Sequence, residues 1–141
     1  MAIVQTACTV FKFNMISGAE DFNTPSPYVY KIALYNANAD LNNTTVAYTT
    51  TNEITGTGYT AGGITLTPTV GSDATNNAAY VSFTNVTWNP ASFTCRGALI
   101  YNSTTGAAVC VLNFGSDKTA TNSFQIQFPP STSTSAILRI N

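Results

Sequence analysis

The sequence predicts an all-β fold, an antiparallel β-sandwich or jelly-roll-like barrel preceded by one short N-terminal helix. Three observations predict it. Aromatic residues make up 11% of the chain and Thr is abundant, a composition suited to pleated, half-buried surface. From Tyr28 onward the apolar segments are short and separated by brief runs of Gly, Pro, Asn and Ser, which is turn chemistry. Between those segments there is no stretch that reads as the helical crossover parallel strands require. With 141 residues the chain fits one domain around one core, because domains commonly run about 100 to 150 residues. Residues 1–27 form its helix and arm, and residues 28–141 its β-sandwich.

From Cys8 to Gly18 the spacing of Phe11 and Met15, with Val10 and Phe13 nearby, allows a short helix closed by Gly18. A strand fits the β-branched content nearly as well; the helix is the reading taken. After the turn-forming Asn23-Thr24-Pro25-Ser26-Pro27, the run from Tyr28 to Tyr35 alternates so that Tyr28, Tyr30, Ile32 and Leu34 share one face of a strand. Asn36 to Thr45 reads as a polar loop, and Val46 to Ile54 fits neither template. Gly56, Gly58, Gly62 and Gly63 supply left-handed backbone positions for a tight, irregular connection.

Strands are then expected over Ile64 to Val70, Ala79 to Val86, Phe93 to Tyr101, Ala107 to Phe114, Ser123 to Phe128 and Ala136 to Ile140. Their separators include Gly71-Ser72-Asp73, Asn89-Pro90, Asn102-Ser103-Thr104-Thr105-Gly106, Gly115-Ser116-Asp117 and Pro129-Pro130. In Phe124-Gln125-Ile126-Gln127-Phe128 the glutamines are expected to face solvent and the apolar residues a core. Ala107-Ala108-Val109-Cys110-Val111-Leu112 is apolar on both faces, so it lies centrally or meets another subunit.

Composition narrows the function. Only 8% of the chain is charged and it has no histidine, against about 25% charged residues in ordinary domains. Without histidine there is no Ser-His-Asp or Cys-His mechanism. The five basic residues, Lys12, Lys31, Arg96, Lys118 and Arg139, are scattered. That gives neither the basic stripe that nucleic acid requires nor a polybasic membrane anchor. No export signal heads the sequence and no apolar run spans a bilayer, so synthesis in the cytoplasm is expected. Cys8, Cys95 and Cys110 are odd in number and widely spaced; buried thiols are expected rather than a disulfide framework or a zinc site. Sequons at Asn42, Asn43, Asn85 and Asn102 are what a chain rich in Asn and Thr produces by chance.

Chemical readings of particular residues are weak, and no catalytic, cofactor-binding or metal-binding residue is assigned. A glycosidase would need two carboxylates about 5 to 9.5 Å apart, yet Glu20, Asp21, Asp40, Glu53, Asp73 and Asp117 all lie in or beside turns and loops, where solvation explains them. The glycine-rich segment lacks the G-K-[ST] ending of a phosphate loop. Asp73 and Asp117 are single acids, too few for calcium. Trp88, Tyr59, Tyr48 and Tyr101 could form a sugar-stacking platform, although a Trp88 that caps the core and hydrogen-bonds its indole N–H is the simpler reading. Arg96 and Arg139 are outward strand charges that discourage edge pairing, or contacts to a partner.

Four blocks carry a resemblance. They are Tyr30-Lys31-Ile32-Ala33-Leu34-Tyr35; the stretch from Tyr48-Thr49-Thr50-Thr51-Asn52-Glu53 through Gly56-Thr57-Gly58-Tyr59-Thr60-Ala61-Gly62-Gly63; Arg96-Gly97-Ala98-Leu99-Ile100-Tyr101-Asn102; and Leu112-Asn113-Phe114-Gly115-Ser116-Asp117-Lys118. From about Tyr28 to Ile140 this ordered series resembles a family of small structural proteins encoded by tailed bacteriophages. Phe11-Lys12 keeps a family-like helix start, whereas Ser17 to Phe22 is only loosely similar. The resemblance implies a virion component without catalytic residues, either a capsid decoration (cement) protein or a tail or fibre module binding host glycans. Decoration is preferred on physical grounds, since a neutral Thr/Asn surface can be buried against siblings and a shell without desolvating unpaired charge. The expected partners are the major capsid protein and further copies of the chain, as a homotrimer on the capsid surface.

Overall fold

The computed structural model describes residues 2–141. It is built from antiparallel sheets and one short helix, the all-β class expected. In chain order the elements are β1 (Thr6–Ala7), α1 (Thr9–Ser17), β2 (Tyr30–Tyr35), β3 (Ile64–Leu66), β4 (Pro68–Asp73), β5 (Ala78–Phe83), β6 (Val86–Trp88), β7 (Phe93–Asn102), β8 (Ala108–Ala120), β9 (Phe124–Ile126) and β10 (Leu138–Ile140). A five-stranded sheet runs β1-β8-β7-β2-β3, a three-stranded one β10-β5-β4, and β6 pairs with β9. All three sheets contribute side chains to one continuous apolar core.

Helix α1 ends where expected. Gly18 turns left-handed at φ 80°, and the N–H of Ala19 donates to Asn14 O at 2.8 Å, a C-cap that glycine adopts without steric cost. The core is densest where β2, β7 and β8 lie side by side: Ile32, Leu34, Leu99, Ile100, Val109 and Val111 have no exposed surface. Each such side chain stabilises the fold by roughly 1.5–3 kcal/mol. The two-faced apolar run of β8 lies inside the domain: Ala108, Val109, Cys110 and Val111, which alternate between its two faces, are all buried.

Five local expectations are corrected. The alternation in Tyr28 to Tyr35 predicts one buried face, but Ala33 and Tyr35 are as buried as Ile32 and Leu34. The second face is covered by the segment before the glycine-rich loop, where Tyr35 Oη donates to Thr49 O at 2.6 Å. The run Ile64 to Val70 is not one strand: it breaks at Thr67, so that β3 pairs with β2 and β4 with β5. Ala79 to Val86 likewise breaks at Thr84-Asn85 between β5 and β6. The N–H of Thr84 donates to Thr67 O at 3.0 Å, tying together the two points at which the chain leaves one sheet for another, the corners of a layered β structure.

Gly71-Ser72-Asp73, expected to turn, is the end of β4. The reversal comes at Ala74 to Asn77, where the Asp73 carboxylate accepts from the N–H groups of Thr75 and Asn76. Aspartate at the start of a turn does this work. Gly115-Ser116-Asp117 does not end its strand either. Cys95 pairs with Lys118 and Gly97 with Asn113, so Phe114 through Asp117 bulge out opposite Arg96 while β8 continues to Ala120. Gly115 still takes a positive φ of 82°; the left-handed residue makes a bulge instead of a reversal. Across it Arg96 and Asp117 pair at 3.2 Å on the surface, where such a pair adds little stability.

Candidate functional site

The aromatic platform suggested by the sequence is mostly interior. Trp88 is only 5% exposed, with ring centroids of Tyr59 and Phe93 at 6.4 Å and Phe124 at 5.9 Å. It caps the core as expected, but its indole N–H has no acceptor among the described residues. Tyr101 is buried and stacks on Tyr48 at 4.6 Å and 18°. What remains at the surface is part of Tyr48 and part of Tyr59, and both hydroxyls are directed at a carboxylate.

That carboxylate is Glu53, which the sequence left as a solvated loop acid. Its Oε1 accepts from Tyr48 Oη at 2.6 Å; its Oε2 accepts from Tyr59 Oη at 2.5 Å and from the N–H of Gly62 at 2.7 Å. Tyr59 Oη in turn accepts from the N–H of Leu34 in β2 at 3.0 Å, and Tyr101 Oη donates to Gly62 O at 2.7 Å. One half-buried carboxylate thus ties the middle and the far end of the glycine-rich loop to Tyr48, while Tyr59 and Tyr101 join the same loop to β2 and β7 of the five-stranded sheet. Burial and the Glu53 bond both push the Tyr48 and Tyr59 phenols above their ordinary value of 10. The signal was present in the sequence as an acid shortly before a Tyr and a Gly-Gly pair, but only the fold shows that all three converge.

Glu20 is also not a solvated turn residue. It is buried, its Oε1 accepting from Asn102 Nδ2 at 3.0 Å and its Oε2 from Tyr30 Oη at 3.3 Å. Burial raises its pKa above the ordinary 4.5, with those two hydrogen bonds pulling the other way. In the interval above pH 4.5 the folded chain therefore keeps a proton that the unfolded chain has released. Stability is fullest below that interval and falls as pH rises through the folded value. Glu20→Gln should remove this slope, so the variant gains on the parent between pH 4 and pH 8 in urea denaturation; parallel pH profiles would contradict the placement of Glu20.

The other acids have local partners. Asp21 and Asp73 accept from turn N–H groups, Asp40 from Asn42 Nδ2, and Asp117 pairs with Arg96. No group of three or more His, Cys, Asp or Glu suited to a metal occurs among the described residues, and no helix among them is long and apolar enough to cross a membrane. All three cysteines are free and buried. Burial pushes the Cys8 thiol up to about 11 and Cys95 to about 12, which suppresses the reactive thiolate.

The feature left without an internal partner is apolar. The strand registers put Val70, Val81 and Leu138 in one row and Ser72, Ala79 and Ile140 in the next on the same face of the three-stranded sheet. On that face Val81 and Phe83 of the central strand β5 are buried, whereas Val70 on edge strand β4 and Ile140 on edge strand β10 are 45% and 63% exposed. Helix α1 stands opposite, and between them lies a groove of about 690 Å³ lined by Phe11, Met15, Ile16, Val70, Val81 and Ile140. At the rim of this groove Ile16 is 89% exposed, and Phe13, nearly one turn earlier on α1, is 67% exposed. These two are spaced i and i+3 and form one ridge. Comparison with protein-family models, with characterised proteins and with solved structures finds no match.

Proposed function

We propose that this chain is a structural component of a bacteriophage virion, a capsid decoration protein that self-associates as a trimer and clamps neighbouring major capsid protein subunits on the capsid surface. The observation that carries the reading is the apolar ridge and groove on an otherwise near-neutral surface. Large exposed apolar side chains grouped on one face mark a surface meant to be covered. A Thr- and Asn-rich exterior with 8% charge can be buried over a wide area without stranding ions. The resemblance of the four sequence blocks supplies the viral setting, and the carboxylates, engaged in holding turns and loops, leave the reading of a scaffold rather than a catalyst.

The mechanism is linkage. A protein that binds only the assembled shell stabilises that state by RT ln(1 + [L]/Kd), about 2.7 kcal/mol at a hundredfold excess over Kd. Binding at symmetry-related positions repeats the gain across the particle. Cryo-electron microscopy of intact particles tests the proposal: density for the chain over the head lattice is expected, together with earlier thermal rupture of heads that lack it. Density confined to the tail would end it. The glycan-binding tail module is disfavoured by the burial of Trp88 and Tyr101, and glycan binding lost in a folded Trp88→Ala variant would revive it.

A further inference from the structure

We propose that residues 19–28, between α1 and β2, form a strap whose docking is gated by the proton on Glu20, closed in acid and released increasingly as pH rises. This gate does not depend on the viral role proposed above. Glu20 is the one buried polar side chain of the strap, and its carboxyl reaches two strands of the five-stranded sheet, β2 through Tyr30 Oη at 3.3 Å and the end of β7 through Asn102 Nδ2 at 3.0 Å. Tyr30 Oη also accepts from the N–H of Asp21 at 3.1 Å. The same hydroxyl therefore holds the strap by side chain and by backbone. Asn102 is fully buried and its Oδ1 accepts from the N–H groups of Thr104 and Thr105, so the β7–β8 turn fixes the amide that meets Glu20.

Apolar contact supplies the rest of the attachment. Phe22 is buried, stacks on Tyr30 at 4.4 Å and 29°, and meets Phe11 at 5.9 Å and Phe83 at 6.0 Å. Beyond it the strap is thinly held: Asn23, Thr24 and Pro25 are exposed, and Asn23 and Ser26 bond only to Asp21 within the strap itself. Gly18, left-handed at φ 80° with open space around it, bounds one end of this part. Val29 bounds the other, its N–H donating to Thr104 Oγ1 and its O accepting from the N–H of Ser103. A segment pinned at both ends and lightly packed between them opens locally, without unfolding of the sheet.

No cation neutralises Glu20. Lys12 of α1, Arg139 of β10 and the carboxyl end at Asn141 line the groove that Glu20 borders, yet the sole ion pair among the described residues joins Arg96 to Asp117. Lys31, next to Tyr30 in β2, points to the other face of that strand, and Asp21 places a second acid beside Glu20. Docked, the ionised carboxylate has exchanged water for two neutral donors; lifted, it is hydrated again. Ionisation thus favours the lifted strap, in keeping with the upward shift that burial gives this carboxyl. Docking is strongest below the ordinary value of 4.5 and weakens as pH climbs through the docked value. Lifting takes Glu20, Asp21, Phe22 and Asn23 out of the groove wall and uncovers Phe11, Tyr30 and Phe83.

Hydrogen exchange of the full chain, followed by NMR and corrected for the intrinsic effect of pH on exchange, tests the gate. The N–H of Asp21 and the side-chain amide of Asn102 report the strap; the N–H groups of Leu99 and Val109 report the core. Strap protons should exchange through a small opening that low urea leaves unchanged, with protection falling about threefold or more between about pH 5 and pH 7, within the tenfold per pH unit that one proton allows. Core protons should be better protected and sensitive to urea, because they exchange by global unfolding. The midpoint of the strap slope should coincide with that of the Glu20 carboxyl carbon resonance in the parent chain. Glu20→Gln should abolish the slope and hold protection at its acid value. Equal protection and equal urea dependence of strap and core protons would mean that the segment opens only when the chain unfolds, which overturns the strap. Strap protection that ignores pH, a midpoint apart from that of Glu20, or a slope that persists in Glu20→Gln overturns the gate.

Discussion

Gly63→Ala is expected to destabilise the fold by more than about 4 kcal/mol, the range reached only when a substitution violates close packing or backbone geometry. Gly63 sits at φ +81°, and a Cβ there would lie 1.7 Å from Ile32 O, 2.6 Å from Ile32 C and 2.9 Å from Ala33 Cα. Those atoms belong to β2, which is paired with β3 on one side and β7 on the other. Ile32 and Ala33 have no exposed surface, so the strand has nowhere to retreat. The loop must lift away instead, and with it go the bonds from Tyr59 and Gly62 to Glu53. Gly115→Ala separates the two causes. Its φ of +82° is nearly the same, but nothing lies within 4 Å of the added Cβ, so only the left-handed backbone cost of about 1–2 kcal/mol applies. Urea denaturation of the two variants side by side measures the difference. If Gly63→Ala unfolds at the same urea concentration as Gly115→Ala, the glycine-rich loop does not lie against β2.

The contrast between these glycines also shows what a sequence reveals and what it hides. That Gly56 to Gly63 forms an irregular connection with left-handed residues follows from composition, because few other residues accept positive φ. Which glycine is pressed against a neighbouring strand does not follow, since the neighbour is fixed only by the fold. The class of the fold was legible from the short apolar runs and their turns, and so was α1 with its Gly18 cap. The corners at Thr67 and Thr84-Asn85 were not. The chain there stays extended while its pairing partner changes, and periodicity records extension, not partners. Gly115-Ser116-Asp117 misled for a related reason: the same residues that reverse a chain also make a bulge. Glu20 was hidden more deeply, because its partner Asn102 is 82 positions away. No local pattern could mark that acid as buried. The exposed ridge of Phe13 and Ile16 was likewise unreadable in advance, since the same side chains on an inward face would have been ordinary core.

Glu53→Ala should lower stability by about 3 kcal/mol, the loss of three hydrogen bonds to a charged acceptor discounted for its partial exposure. The melting temperature of a chain this size would then fall by about 10 °C. The substitution orphans the Tyr48 and Tyr59 hydroxyl donors and the N–H of Gly62, all of which point at the removed carboxylate. Tyr59 keeps the bond it accepts from Leu34, so it stays near β2 while its donor goes unmatched. Glu53→Gln tests whether charge or shape matters, because the amide keeps one acceptor oxygen but offers a donor where the second acceptor stood. It should recover part of the loss. Alkaline titration of tyrosine absorbance gives an independent readout. In the parent chain, burial and Glu53 together hold Tyr48 and Tyr59 above the ordinary phenol value of 10. The folded state therefore retains protons that the unfolded state releases above that pH, and stability falls as pH rises further. Removing the carboxylate should bring the onset of phenolate absorbance to lower pH in a still-folded protein. A merely space-filling role for Glu53 would cost stability without moving the titration. An unchanged titration in folded Glu53→Gln would therefore deny the carboxylate its place as the clasp that holds the loop, with Tyr48, Tyr59 and Gly62 around it, to the sheet.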